Sequence, residues 1–478
     1  MPRLRILHAI HDFLPRHRAG SEIYAHTLAT EQSRRHDVWV LAAEFDPSAT
    51  HGTLRWRRSG SLPVVELINN WTFHHFGDTY SSPRLNEQLT HVLAAVQPDV
   101  LHVHNLLNLS LDLPRLARER GIAVVATLHD YTLVCISGGQ RVHRAERHVC
   151  DEIDPERCVR CFAQSPFALQ LTAGRITASA RMPKLLSIAA RVGRALPSAA
   201  AAVRASTGAP ATVDDVRRRL AYARHVFDMV DLFVAPSAAI GAEYVRLGIP
   251  PDRIEVSGYG HPIAAPVQPR SRSPRTRGVR IGYTGSIVWH KGLHVLIEAA
   301  RGLQGEFEVN IHGDVNVDPT YAGELRSAAG DLPIRFAGAF DRDHVDDVYR
   351  TIDVLVVPSI WPENAPLVVQ EARQYGIPVV ASRIGGLPEF VRDAVDGRLF
   401  SPGSAGELRR ILQSMIDDPS QVARLSAAPV EVKPIEVDAA EWERRYVRFA
   451  HLRADPDVER GADAAGAAGR DRSADQAS

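Results

Sequence analysis

The chain has 478 residues, of which 45% are hydrophobic and 23% are charged, and its formal net charge at pH 7 is zero. This length exceeds what one hydrophobic core usually supports, so we expect two domains. The balanced charge gives no reason to expect a nucleic acid partner, and the sequence has no apolar run long enough to predict a transmembrane helix. The apolar N-terminus is soon interrupted by His and Asp, unlike a signal peptide, so we expect a cytoplasmic protein.

Short apolar runs alternate with helical patterns from residue 4 to about 260, and a second such series begins near residue 279. Runs rich in Val, Ile and Leu predict parallel strands that helices cover on both faces. The sequence therefore predicts an α/β protein with two Rossmann-like, doubly wound domains. The predicted parts are an N-terminal domain at 1–262, a linker at 263–278, a second domain at 279–430, a helix at 431–453 that docks or crosses back, and a disordered tail at 454–478.

Polar residues follow two of the predicted strands in the first domain. Gly20 and Ser21 come between the strand at 4–10 and a helix, while His129 and Asp130 end the strand at 123–130. In open α/β sheets, ligands bind beyond the carboxyl ends of the strands, so these loops are candidates for a site. Taken singly, they are equally compatible with an ordinary loop, a helix cap and a structural histidine.

The cysteines of the chain are clustered: Cys135, Cys150, Cys158 and Cys161. In a reducing compartment, clustered cysteines suggest a metal sooner than disulfides. The closing C-x2-C pair with two further cysteines suits a structural, tetrahedral zinc site. The alternatives are four free thiols in a buried loop, or a site in which His143 or His148 replaces one cysteine.

A basic segment follows the cysteines, because no Asp or Glu occurs from Arg157 to Val213 while several arginines do. Its composition at about 162–213 is that of a basic amphipathic helical insertion. One interpretation is a solvated insertion or helical lid. The other is a surface for an anionic membrane or a lipid-phosphate acceptor, which would place the protein at the inner face of the membrane.

The second domain opens with a strand, a turn that contains Gly285 and Ser286, and then Lys291 and Gly292 before a helix. Glycine lets a backbone approach a phosphate closely, and a lysine at a helix start adds positive charge to the helix dipole. The pattern alone is weak, since lysine is common on surfaces. Its position at the first β–α junction of the domain strengthens it.

A second junction in this domain carries two glutamates, Glu363 and Glu371, in "ENAPLVVQEA". Pro366 suits the first helical turn and Asn364 suits the cap, which would aim backbone N–H groups from Leu367 onward into a crevice. One glutamate could hold the near end of a ligand and the other its far end. The plain alternative is a loop charge and a helix-surface residue.

These motifs together resemble glycosyltransferase family 4, the retaining sugar-nucleotide transferases with the GT-B fold. The resemblance covers about residues 4–430, and it is most specific where the E-x7-E element, the "TGS…HKG" loop and "GGLPEFV" (385–391) occur in the family's order. It implies two Rossmann-like domains that face each other across a cleft, with a nucleotide-diphosphate sugar as donor. The acceptor would be a glycan or a lipid-linked molecule, and no catalytic metal is expected.

The resemblance also implies roles for individual residues. Glu371 would hold the ribose hydroxyls, Glu363 would contact the donor sugar, and Lys291 would neutralise the leaving diphosphate. Gly20 would let the first-domain loop approach the diphosphate, and His129 would contact the donor sugar near its reacting carbon. The catalytic candidates are His129, Lys291 and Glu363, and the donor-binding candidates are Gly20, Gly285, Ser286, Asn364, Ala365, Pro366, Leu367 and Glu371.

One position departs from the family pattern, because Ser286 stands where an arginine is common. This removes one charge that would bind the diphosphate, unless Lys291 suffices or another arginine replaces it. Ser286 favours one alternative function, a non-catalytic protein that binds sugar nucleotides or glycans. The other alternative is a GT-B sugar-nucleotide epimerase, against which the helix that carries the E-x7-E element argues. Some family members also have a cysteine after "HDY" and a later C-x2-C, so the resemblance is compatible with structural zinc.

Overall fold

Two β-sheets organise the chain in a computed structural model that describes residues 2–180, 211–262, 278–340, 344–428 and 431–454. Most of the predicted basic insertion, the predicted linker and the predicted tail lie outside the described residues. No helix in the described ranges is both long and apolar enough to cross a membrane.

The first sheet has the strand order β10-β9-β6-β5-β1-β2-β4-β3, and its neighbours are parallel except for β3 against β4. The predicted doubly wound arrangement is confirmed, with an antiparallel edge strand that the sequence did not reveal. The strands described in this domain, which include a small separate hairpin formed by β7 and β8, are β1 (Arg5–Ile10), β2 (Asp37–Glu44), β3 (Leu54–Ser59), β4 (Leu62–Ile68), β5 (Val100–Val103), β6 (Ala123–Thr127), β7 (Val142–His143), β8 (His148–Val149), β9 (Leu232–Ala235) and β10 (Ile254–Val256).

The second sheet is parallel throughout, in the order β13-β12-β11-β14-β15-β16. The order reverses between β11 and β14, and the crevice beyond that switch point is where such sheets bind ligands. The strands are β11 (Val279–Thr284), β12 (Phe307–His312), β13 (Ile334–Gly338), β14 (Val354–Val357), β15 (Val379–Ser382) and β16 (Gly397–Phe400).

Helices cover both faces of each sheet, as the runs of fully buried strand residues require. The helices described are α1 (Gly20–Gln32), α2 (Pro83–Val96), α3 (Leu113–Arg118), α4 (Pro155–Ala163), α5 (Pro166–Ala180), α6 (Val213–Met229), α7 (Ala238–Arg246), α8 (Leu293–Ala300), α9 (Pro319–Ala329), α10 (Val345–Arg350), α11 (Leu367–Gln374), α12 (Leu387–Phe390), α13 (Ala405–Asp417), α14 (Ser420–Ser426) and α15 (Ile435–Ala454).

The last described helix, α15, crosses back and docks on the first domain. Trp442 and Tyr446 are buried in the same cluster as residues of β1 and α1. The Tyr24 hydroxyl donates to Asp438 Oδ2 at 2.8 Å, and Trp442 Nε1 donates to the Tyr24 oxygen at 3.0 Å. The core of the first domain therefore includes residues that lie more than 400 positions away along the chain.

Replacing Trp442 with alanine tests how much this docking stabilises the first domain. Trp442 is 1% exposed, and truncating a buried aromatic side chain typically costs about 3–5 kcal/mol. The measurement is urea unfolding followed by fluorescence. Val437→Ala on the same helix is the control, since Val437 is 46% exposed and its loss should change stability by less than about 0.5 kcal/mol. Equal unfolding midpoints for the two variants would contradict the docking.

Candidate functional site

The turn from Glu363 to Pro366 lies beyond the carboxyl end of β14 and leads into α11. Pro366 occupies the N-cap position with an extended backbone, and α11 begins at Leu367. The N–H groups of the first helical turn have no partners within the helix, so they make an anion-binding edge. The predicted place of Pro366 in the first helical turn is wrong, because it is the N-cap residue just before that turn. The predicted capping by Asn364 is also wrong, because its side chain makes hydrogen bonds with the first domain instead.

Lys291 forms an ion pair with Glu363. Its Nζ atom lies 2.7 Å from Glu363 Oε1 and 2.9 Å from Oε2, and Ser359 also donates to this carboxylate. The Glu363 side chain is 5% exposed, whereas Lys291 is 28% exposed, so the carboxylate is the buried partner of the pair. The two junctions that the sequence singled out are thereby in direct contact.

Gly292 explains how the lysine loop comes so close to β14. Its φ angle is +72°, and a Cβ atom at this position would lie 1.9 Å from the Pro358 carbonyl oxygen. A side chain would collide with the backbone, so only glycine lets the loop pack there. Lys291, immediately before it, is then held against the Glu363 turn.

Gly386 likewise lets a backbone segment pack closely against the turn from Glu363 to Pro366, on its other side. A Cβ atom there would lie 2.0 Å from the Asn364 carbonyl oxygen, and the Gly386 N–H donates to the Glu363 carbonyl at 2.7 Å. Glu389, in the same "GGLPEF" segment, accepts from the N–H groups of Ala238 and Ala239 at 2.7 and 2.9 Å. These residues begin α7 of the first domain, so the segment also joins the domains.

Glu371 is buried within α11 and faces a tyrosine that the sequence gave no means of finding. The Tyr349 hydroxyl donates to Glu371 Oε2 at 2.9 Å and lies 3.4 Å from Thr284 Oγ1. Thr284 ends β11, directly before Gly285. Glu371 is therefore held at the carboxyl edge of the second sheet, on the Gly285 side.

The first domain contacts the same turn. Asn364 Nδ2 donates to the carbonyls of Leu128 and His129 at 2.8 and 3.2 Å, and Ser237 Oγ donates to Asn364 Oδ1 at 3.0 Å. A Cβ atom on Gly20 would lie 3.7 Å from Leu367 Cδ1, an ordinary contact that would not by itself require glycine. The structure thus brings the predicted Gly20 loop, the His129 strand end and the E-x7-E turn together.

His129 has a partner at each ring nitrogen. Nδ1 lies 2.6 Å from the Tyr259 hydroxyl oxygen, and Nε2 lies 2.9 Å from His104 Nδ1. Burial, with a smaller effect of His11, lowers the pKa of His129 to about 3, so the ring is neutral at physiological pH. Sequence reasoning missed His104 and Tyr259, although the motif "HVHN" at the end of β5 places His104 beside His129.

The Ser286 side chain is exposed. Its backbone carbonyl accepts a hydrogen bond from the Tyr283 hydroxyl at 2.8 Å. Gly285 has a φ angle of +144°, and its N–H donates to the His312 carbonyl at 3.0 Å. The positive φ angle accounts for glycine at position 285, while the serine adds no charge. Ala365 is buried in the wall of the cleft.

Two sequence profiles of known families match the chain. "Glycosyl transferases group 1" matches residues 268–429, and "Glycosyltransferase Family 4" matches residues 18–177. The chain belongs to the GT-B glycosyltransferases of the family 4 type. This confirms the resemblance and the predicted fold class.

Individual proteins similar to this GT-B chain share either a segment of its sequence or its fold. A D-inositol 3-phosphate glycosyltransferase from Xylanimonas cellulosilytica is 28% identical over 196 residues, which are 39% of this chain and 47% of the relative. The chain thus aligns with about half the length of such curated relatives.

Two solved structures cover nearly the whole fold. HepE from Anabaena, in complex with UDP and glucose, has a TM-score of 0.56 at 17% identity, over 95% of this chain and 98% of its own. Sucrose-phosphate synthase from Thermosynechococcus elongatus has a TM-score of 0.60 at 16% identity, over 94% and 98%. At these identities, the likeness concerns the fold.

The four cysteines of this GT-B protein line one small cavity of about 20 Å³: Cys135, Cys150, Cys158 and Cys161. Burial and the neighbouring thiols raise the pKa of Cys158 to about 12, and burial raises that of Cys161 to about 11. A cation is what would make such thiols ionise. Among the described residues, the four sulfur atoms do not all lie within 4.8 Å of one another.

The segment that carries the cysteines also reaches the second domain. Trp361 donates through Nε1 to the Gln140 carbonyl, and Arg147 Nη2 donates to Glu324 Oε1 at 2.6 Å. The Arg147 guanidinium also lies over the Tyr321 ring, 5.8 Å from its centre. The cysteine segment therefore connects the two domains.

Metal analysis tests the cysteine group. We expect purified protein to carry about one zinc per chain, because four cysteine ligands suit a structural tetrahedral site. Cys158→Ser should lower this content, whereas His148→Gln should keep it if all four ligands are cysteines. A protein without zinc, in which all four thiols react freely with a thiol reagent, would contradict the site.

Proposed function

We propose that this protein is a retaining glycosyltransferase that moves a sugar from a nucleotide-diphosphate donor to a glycan or a lipid-linked acceptor. The observation that carries the proposal is the Lys291–Glu363 pair at 2.7 Å, in the turn that leads into α11. The next residue in that turn, Asn364, donates to the Leu128 carbonyl of the first domain at 2.8 Å. Such a junction offers positive charge and helix N–H groups to a diphosphate. The structure of HepE, which contains UDP and glucose, supports a sugar nucleotide as donor.

Donor binding would exchange the partners of the ion pair. The diphosphate would take the Lys291 ammonium, and the donor sugar hydroxyls would replace it at Glu363. Glu371 would receive the ribose hydroxyls, and the backbone N–H groups at the start of α11 would bind the phosphate oxygens. A pair that is satisfied before the donor arrives keeps both charges in place without leaving either one buried alone.

In the reaction, the bond between the anomeric carbon and the phosphate oxygen breaks, and the nucleoside diphosphate leaves with the electron pair. The acceptor oxygen attacks the same face and forms the new glycosidic bond, while its proton passes to the leaving phosphate. Negative charge grows on the diphosphate, where Lys291 and the helix start can stabilise it. This scheme assigns no carboxylate nucleophile and no divalent metal to the reaction.

A non-catalytic sugar-nucleotide-binding protein is the second candidate. Ser286 favours it, because this exposed, uncharged side chain leaves Lys291 as the one cation of that loop. The two candidates differ in turnover, since a binding module would retain a nucleotide sugar without releasing free nucleotide. The surface location that the basic segment suggested, at an anionic membrane, stays a prediction.

The experiment is a panel of UDP-, GDP-, ADP- and dTDP-sugars, with release of free nucleotide as the measurement. We expect release with at least one donor, and Lys291→Ala should lower it on the order of 100-fold or more, the typical effect of removing one such stabilising group. Arg424→Ala is the control, because Arg424 on α14 forms an exposed ion pair with Asp418, which precedes that helix. Near-normal turnover in Lys291→Ala would contradict the diphosphate role, and binding without any release would favour the second candidate.

A further inference from the structure

Four histidines lie together, two within β1 and β5 and two just after β5 and β6: His8, His102, His104 and His129. The first three are at most 3% exposed. Each of their ring nitrogens has a hydrogen-bond partner, as does each ring nitrogen of His129. So many buried imidazoles need an arrangement in which every ring donates once and accepts once.

The direction of the hydrogen bonds follows from Gln32, which ends α1. Its Oε1 atom can only accept, so His8 must donate to it through Nε2 across 2.9 Å. His8 Nδ1 is then an acceptor, and it receives the Nε2 proton of His104 at 2.9 Å.

The same reasoning extends to the cleft. His104 Nδ1 becomes the acceptor of the His129 Nε2 proton at 2.9 Å. His129 Nδ1 in turn accepts from the Tyr259 hydroxyl at 2.6 Å. The Gln32 amide, at the other end of this hydrogen-bond chain, thus determines that the proton of the His129 ring is on Nε2.

The hydrogen-bond chain continues beyond the Gln32 amide, and no two donors or two acceptors meet in it. Gln32 Nε2 donates to the Tyr446 oxygen at 3.2 Å, and the Tyr446 hydroxyl is then free to donate to His102 Nδ1 at 2.6 Å. His102 Nε2 lies 2.8 Å from Thr127 Oγ1. His8, His104 and His129 therefore share one tautomer, with the proton on Nε2, and the contacts of His102 are compatible with the same one.

We propose that Gln32, His8 and His104 are positioning residues, which hold the His129 ring in one tautomer and one orientation at the cleft. The proposal rests on the proposed function, in which His129 lies near the reacting carbon of the donor sugar. A neutral, fixed ring there does not oppose the positive charge that develops on that carbon. The direction of the pKa shifts agrees, because burial lowers the pKa of His8 to about 4.

A metal is the competing explanation of the cluster, since the ligand atoms of His8, His102 and His104 all lie within 4.8 Å of one another. A metal would need a lone pair from each ring. The hydrogen bonds already use these lone pairs, and a chain of eight satisfied groups accounts for the cluster without an ion.

Nitrogen NMR of protein labelled with nitrogen-15 in its histidines tests the proposal on the wild type. Two-bond proton–nitrogen correlations distinguish the two neutral tautomers, and single histidine variants assign the signals. We expect His8, His104 and His129 all with the proton on Nε2 at pH 7. A proton on Nδ1 in His8, His104 or His129, a doubly protonated ring among them, or signals of a metal-bound ring would overturn the proposal.

Two variants separate positioning from mere support of the fold. Gln32→Leu removes the acceptor of His8, so His129 should populate both tautomers, and kcat should fall on the order of tenfold with donor KM changed by less than about twofold. Tyr446→Phe is the matched control. It removes a hydrogen bond to the same amide but leaves the run from Gln32 to His129 intact, so tautomer and kcat should stay as in the wild type.

An unchanged His129 tautomer or an unchanged kcat in Gln32→Leu would overturn the positioning role. If Gln32→Leu does not fold, the wild-type tautomers decide the question. The NMR result is also independent of turnover, so a protein that transfers no sugar would refute the proposed function and leave the histidine chain to be judged by its own measurement.

Discussion

An ion pair between the buried Glu363 and the partly exposed Lys291 joins two β–α junctions of the second domain. Removing Lys291 would leave the Glu363 carboxylate, which is 5% exposed, without its cationic partner, and an uncompensated buried charge costs about 3–5 kcal/mol. The backbone makes the pair possible, because Gly292 lets the lysine loop pack on the end of β14 and Gly386 packs behind the glutamate turn. A site built in this way keeps its charges ready and gives them to a ligand that can replace both partners.

The domains meet through polar contacts around this pair. Asn364 reaches two carbonyls of the first domain, Glu389 accepts from the start of α7, and Arg147 pairs with Glu324. Contacts of this kind are exposed or partly exposed in several places, and interfaces of this type permit domain motion. The helix α15 adds a further tie, since it packs on the first domain after the chain has completed the second.

The sequence patterns predicted the two-domain architecture and the candidate site residues that directly follow strands. Continuous apolar runs predicted parallel sheets, and residues that follow such strands, among them Lys291 and Glu363, had to lie at one edge. The partners could not be predicted in this way, because Tyr349 and Tyr259 come from elements whose placement depends on tertiary packing. Asn364 illustrates the limit: it follows the rule for helix caps locally, yet the first domain offers its amide better partners.

Binding of a nucleoside diphosphate tests the central claim most directly, namely that the E-x7-E turn and the Lys291 loop form one donor site. Titration calorimetry should show that Glu371→Ala weakens binding by about tenfold or more, since a hydrogen bond to a charged group contributes about 1.5–3 kcal/mol. Glu298→Ala, on the exposed side of α8, should bind as the wild type does. Equal affinity of the wild type and Glu371→Ala would contradict the account.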